Sequence, residues 1–72
     1  MELNDLHLIT KEIIPPLPGG LKYAAKVHAL FVMLGGERKR VSHEFGEEWG
    51  QTDSEARAKM TALVEKWVTS QQ

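Results

Sequence analysis

Five cations between Lys22 and Arg40 carry the clearest chemical signal in the sequence. Lys22, Lys26, Arg38, Lys39 and Arg40 are opposed only by Glu37 over residues 21–42, a local charge of +4. Clustered Lys and Arg suit a phosphate backbone or an acidic protein, and two to four phosphate contacts give weak, salt-sensitive binding. The same cations on a hairpin also keep its edge from pairing with another chain. Residues 43–56 follow with Glu44, Glu47, Glu48, Asp53 and Glu55 and no base, a local −5. The formal net charge of −1 conceals this dipole. Other constellations are weaker. His43-Glu44-Phe45-Gly46-Glu47 opens like a zinc-protease helix, but Glu47 stands where the second histidine belongs, so no metal site is expected. Glu44, Glu47 and Glu48 read as a solvated acidic loop. His28 is expected to face Glu44 across a hairpin as a surface ion pair, and His7 has no visible partner. Trp49 and Trp67 read as core or sheet-edge aromatics, with base stacking a further option for Trp49. The pairs Gly19-Gly20 and Gly35-Gly36 match no phosphate cradle. No catalytic residue and no cofactor is expected.

These side chains must be positioned by short elements. Thr52-Asp53-Ser54-Glu55 is a capping box, and Ala56, Met60, Leu63, Val64 and Trp67 then follow one helical face. Together they predict a helix over 52–69, with Ser70-Gln71-Gln72 as a frayed end. Glu55 and Lys59 are a favourable i,i+4 pair. Residues 15–20, Pro-Pro-Leu-Pro-Gly-Gly, predict a loop. Residues 21–34 suit two readings. As a strand, Tyr23, Ala25, Val27, Ala29, Phe31 and Met33 line one face; as a helix, Tyr23, Val27, Leu30, Phe31 and Leu34 do. The neighbouring segment decides for strand. From Lys39 onward, Val41, His43 and Phe45 alternate with Arg40, Ser42 and Glu44, which predicts a strand over 38–46. A three-residue loop, Gly35-Gly36-Glu37, keeps one apolar face by pairing Phe31 with Val41 and Val27 with Phe45. A two-residue loop would set Phe31 beside Arg40. One of Gly46 and Gly50 is expected to form a bulge. A strand is expected over 5–14, where a short helix capped by Asn4 is the other option. The architecture expected is α+β: a three-stranded antiparallel sheet with one C-terminal helix on one face, βββα. The alternative is an all-α three-helix bundle with a helix-turn-helix.

In the expected register Lys22, Lys26, Arg38 and Arg40 share the face turned away from the helix. Leu30, Val32 and Leu34, with His28, lie on that same face. An apolar patch of this kind points to a homodimer or a protein partner. On this register Ala25→Glu or Phe31→Asp buries a charge and unfolds the chain, while Val32→Asp leaves the fold intact and abolishes association.

The junction Trp49-Gly50-Gln51-Thr52-Asp53-Ser54-Glu55-Ala56 resembles the G-x-T-x-x-E-A junction of HicB-like antitoxin domains. It is also similar to the last strand and helix of other βββα modules, such as integrase arm-binding and double-stranded RNA-binding domains. The resemblance covers residues 49–56 and implies the βββα fold. It assigns no functional residue, since Asp53, Ser54 and Glu55 stand where the RNA-binding domains have lysines.

Composition bounds the rest. Seventy-two residues, 42% hydrophobic and 26% charged, describe one small globular domain over 1–72. Such a chain has little room for both a core and a deep pocket, which argues against an enzyme. Zero cysteines exclude a disulfide scaffold, thiolate metal sites and cysteine catalysis. No apolar run approaches the ~18 residues of a membrane span, and the first residues carry no basic region before an apolar stretch. The expectation is a cytoplasmic interaction module that meets a protein partner or itself through its sheet. Nucleic-acid binding through the basic hairpin is the alternative.

Overall fold

The computed structural model describes residues 1–71. It is an antiparallel sheet with one C-terminal helix, in the order β1 (Glu2–Leu17), β2 (Leu21–Leu34), β3 (Glu37–Val41), β4 (Glu47–Gly50) and α1 (Asp53–Ser70). The α+β expectation holds, with four strands in place of three, and a single helix excludes the three-helix bundle. Gln72, the last residue of the expected frayed end, lies outside the described residues. No described helix is long and apolar enough to cross a membrane.

The first strand outruns its expected 5–14 bounds at both ends and takes in Pro15 and Pro16, which were expected in the loop. It is an edge strand, where a proline costs no ladder hydrogen bond if its nitrogen points away from the neighbour. Its pairing with β2 breaks between Glu12↔Tyr23 and Leu17↔Leu21, the stretch that holds both prolines. The second strand occupies 21–34 as expected and is the centre of the sheet. β1 lies along one flank; β3 and β4 lie end to end along the other, against residues 30–34 and 23–26. The expected single strand over 38–46 is therefore two. Gly46, at φ +74°, turns the chain between them.

The register differs from expectation at two points, and both have a local cause. The β2–β3 loop has two residues, with Leu34 opposite Glu37. Gly35 and Gly36 sit at φ +60° and +81°, the left-handed pair that a type I′ hairpin requires and that glycine adopts without steric cost. Phe31 accordingly lies beside Arg40, and Leu30 beside Val41. This keeps an apolar face because β2 changes phase. Its pairing with β1 steps from His7↔Ala29 to Leu8↔Val27, leaving His28 as the extra residue of a bulge. Before the bulge Tyr23, Ala25 and Val27 face the helix; after it Leu30 and Val32 do.

The helix starts where the capping box placed it. Thr52 accepts from the Glu55 amide at 3.1 Å, and the Glu55 carboxylate lies 3.3 Å from Lys59. The buried stripe is Ala56, Met60, Val64 and Val68, packed on Ala25, Leu30 and Val32. Leu63 and Trp67 flank it, and Trp67 stacks on His43 at 4.6 Å with Phe45 edge-on. Phe45 leaves the sheet to reach this cluster rather than pairing with Val27.

A polar clamp ties α1 to β1. The Thr10 hydroxyl donates to one Asp53 carboxylate oxygen, and Arg57 Nε donates to the other at 2.8 Å. The Thr10 hydrogen bond, and then Arg57, hold the Asp53 carboxyl below its ordinary value of 3.8. Because the folded pKa is depressed, the clamp's contribution is complete above the ordinary value and is lost as pH falls through the lowered one. Thermal unfolding measured between about pH 5 and pH 2 should therefore show Asp53→Asn losing less stability over that interval than the wild type. Parallel curves would show that Asp53 titrates alike in both states.

Candidate functional site

With α1 on one side, the other side of the sheet is open. Alternation along each strand assigns its residues. β1 contributes Asp5, His7, Ile9 and Lys11, paired with Phe31, Ala29, Lys26 and Ala24 of β2. β3 contributes Arg38 and Arg40 opposite Met33 and Phe31, and β4 contributes Glu47 and Trp49 opposite Lys26 and Ala24. Lys22 joins them two residues ahead of Ala24. The molecule measures 44 × 18 × 18 Å, so this surface is a long strip with cations along its length.

Four of the five cations singled out from sequence share this strip: Lys22, Lys26, Arg38 and Arg40. Lys39 does not. It pairs with Val32 on the helix side and lies 3.7 Å from Glu37. Arg38 is partly engaged: its guanidinium lies 4.0 Å from the Phe31 ring centroid, its Nε donates to Asn4 at 2.9 Å, and Asp5 is 3.7 Å away. Asp5 also holds His7, whose ring meets Phe31 edge-on. Among the described residues Lys11, Lys22, Lys26 and Arg40 form no ion pair; on the helix Arg57 and Lys59 each have a carboxylate and Lys66 has none. The strip thus sets Lys11, Lys22, Lys26, Arg38 and Arg40 against Glu2, Asp5 and Glu47, an excess of two positive charges.

Burial removes two residues from the expected apolar interface. Leu30 and Val32 are 1% exposed and belong to the core, because the His28 bulge turns them under the helix. Of that set Leu34, at 45% beside the β2–β3 turn, and His28 are exposed. The exposed apolar residues of the open strip are Ile9 at 48% and Trp49 at 40%. His28 does not pair with Glu44. Both line a recess of about 290 Å³, with Arg40, Ser42 and His43, in the gap between β3 and β4 along the flank of β2 at residues 27–29. His43 turns its ring onto Trp67, so the His43-Glu44 dipeptide presents no paired ligands.

Lys11, Ile9 and Phe31 were missed as strip residues. Lys11 could have been found, since His7, Ile9 and Lys11 alternate with Leu6, Leu8 and Thr10. Phe31 could not, because only the bulge moves it from the core face to the open one. The functional reading rests on geometry and charge alone: compared with known protein families, curated proteins and solved structures, the chain matches none.

Proposed function

We propose that the chain is a non-enzymatic module that binds nucleic acid through its open sheet face, chiefly by phosphate contacts. The supporting observation is the set of cations without an ion pair, Lys11, Lys22, Lys26 and Arg40, on one long surface with the helix on its far side. An unpaired surface cation keeps its counterions, and their release on meeting phosphate drives binding. Four contacts to a single strand predict that affinity falls about 50-fold between about 50 and 200 mM salt. Fluorescence anisotropy of a labelled mixed-sequence oligonucleotide measures this. Lys26→Glu with Arg40→Glu should abolish the signal. Lys39→Gln, on the other side of the sheet, should leave it within about twofold, since it removes no strip contact. A Lys39 effect as large as the strip effect would remove the face from the argument, and absence of binding at about 50 mM salt would reject the proposal.

A second reading is favoured by the exposure of Ile9 and Trp49 on the same face: a protein partner or a second copy of the chain. Salt separates the two readings. Apolar association persists as salt rises, and phosphate binding does not.

A further inference from the structure

We infer that the preferred ligand of the open face is a single strand rather than a duplex, with one base stacked on Trp49; this rests on the nucleic-acid reading above. The row that crosses the sheet at Trp49 has a definite order: Trp49 on β4, Ala24 on β2 and Lys11 on β1. The next row is Glu47, Lys26 and Ile9. Ile9, Lys11, Ala24, Lys26 and Glu47 line a recess of about 210 Å³. Its floor is low because Ala24 carries only a methyl group between the larger side chains on either flank. Trp49 does not line this recess but is the β4 neighbour of Ala24, so a base stacked on its exposed ring has Lys11 in the same row and Lys26 in the next for its phosphates. Glu47 narrows the choice of occupant. A bare anion in this recess would meet its carboxylate, whereas a base edge with an amino group gives that carboxylate a donor.

The elements that could enter a duplex groove are poorly charged for it. The β1–β2 tip is Pro18-Gly19-Gly20 and the β2–β3 tip is Gly35-Gly36, neither with a cation; Arg38, Lys39 and Arg40 follow along β3, where Lys39 lies 3.7 Å from Glu37. The first turn of α1 carries Asp53 and Glu55 and lies across the sheet from the strip. What remains is a sheet face with an exposed aromatic and cations without an ion pair, the arrangement that suits unstacked bases and a flexible backbone.

The test compares a labelled 12-nucleotide mixed-sequence single strand with the duplex of the same sequence at about 50 mM salt, for the wild type, Trp49→Ala and Trp49→Phe. Circular dichroism and thermal melting confirm that each variant is folded. The single strand is expected to bind at least about fivefold tighter than the duplex. Trp49→Ala should weaken single-strand binding about tenfold, and Trp49→Phe should restore most of it. Equal binding of strand and duplex with no Trp49→Ala effect would overturn the single-strand inference and leave the phosphate reading standing. Binding of neither ligand would overturn both.

Discussion

Val32→Asp is expected to unfold the protein, while the same substitution at the adjacent Phe31 leaves it folded. Val32 is 1% exposed and packs against the Ala56, Met60, Val64 and Val68 stripe. Nothing there can pair a carboxylate: among the described residues no polar or charged one is buried. An uncompensated buried charge costs about 3–5 kcal/mol. The lost valine burial adds about 1.5–3 kcal/mol. A domain of this length has about 4–10 kcal/mol of stability in total, so one substitution consumes most of it. Phe31 is on the open side, half-buried, with Arg38 over its ring and Arg40 opposite it. An aspartate there stays solvated and has two cations beside it. The loss of ring packing leaves a cost of about 1–2 kcal/mol. Thermal melts of the two variants decide the matter. A folded Val32→Asp together with an unfolded Phe31→Asp would mean that β2 keeps a single phase and that the His28 bulge is absent.

That pair also marks what was legible in the sequence. The helix was readable because capping box, apolar stripe and i,i+4 pair all gave the same bounds, and each is a local signal. β2 was readable in extent for a similar reason, bounded by glycine pairs at both ends. Its facing was not. Period-two alternation assigns faces only while the strand is regular, and one extra residue at His28 inverts every assignment after it. The three-residue loop follows only if β2 keeps a single phase, so the bulge accounts for the difference in the turn as well. The two errors cancelled for part of the site. Lys22 and Lys26 precede the bulge, Arg38 and Arg40 follow both it and the shorter turn, and all four end on the open face as expected. They did not cancel for Leu30 and Val32, which moved into the core; Lys39 lies on the helix side in both registers. The prolines misled differently. They forbid a central strand but not an edge, and edge position is a property of the whole sheet rather than of residues 15–20.

Gly50→Ala should be the most damaging change of a single methyl group, and it should reach the candidate binding face. Gly50 is buried opposite Tyr23, where β4 ends and the chain turns into α1. A Cβ built there would lie 2.6 Å from the Ala56 amide nitrogen, 2.9 Å from Glu55 Cβ and 3.0 Å from the Glu55 carbonyl carbon. Two of those three atoms are backbone in the first turn of a capped helix, so no side-chain rotation relieves the contact. The helix start must move away from the sheet, at a cost of about 1–3 kcal/mol. In a domain of this size that lowers the melting temperature by about 5–20 °C. Displacement at Gly50 also acts on its neighbour. The Trp49 carbonyl accepts from Lys59 Nζ at 2.9 Å, so β4 and α1 hold Trp49 from both sides. Shifting one against the other tilts the indole over Ala24. Gly50→Ala should therefore weaken single-strand binding at temperatures where it is still fully folded. Gly46→Ala is the control. Its added Cβ meets nothing within 4 Å, but its φ of +74° makes it costly in backbone conformation, by about 1–2 kcal/mol. If Gly46→Ala, matched in melting temperature, weakened binding as much as Gly50→Ala, general loosening would account for both. A binding loss confined to Gly50→Ala would tie the packing of β4 on α1 to the placement of Trp49.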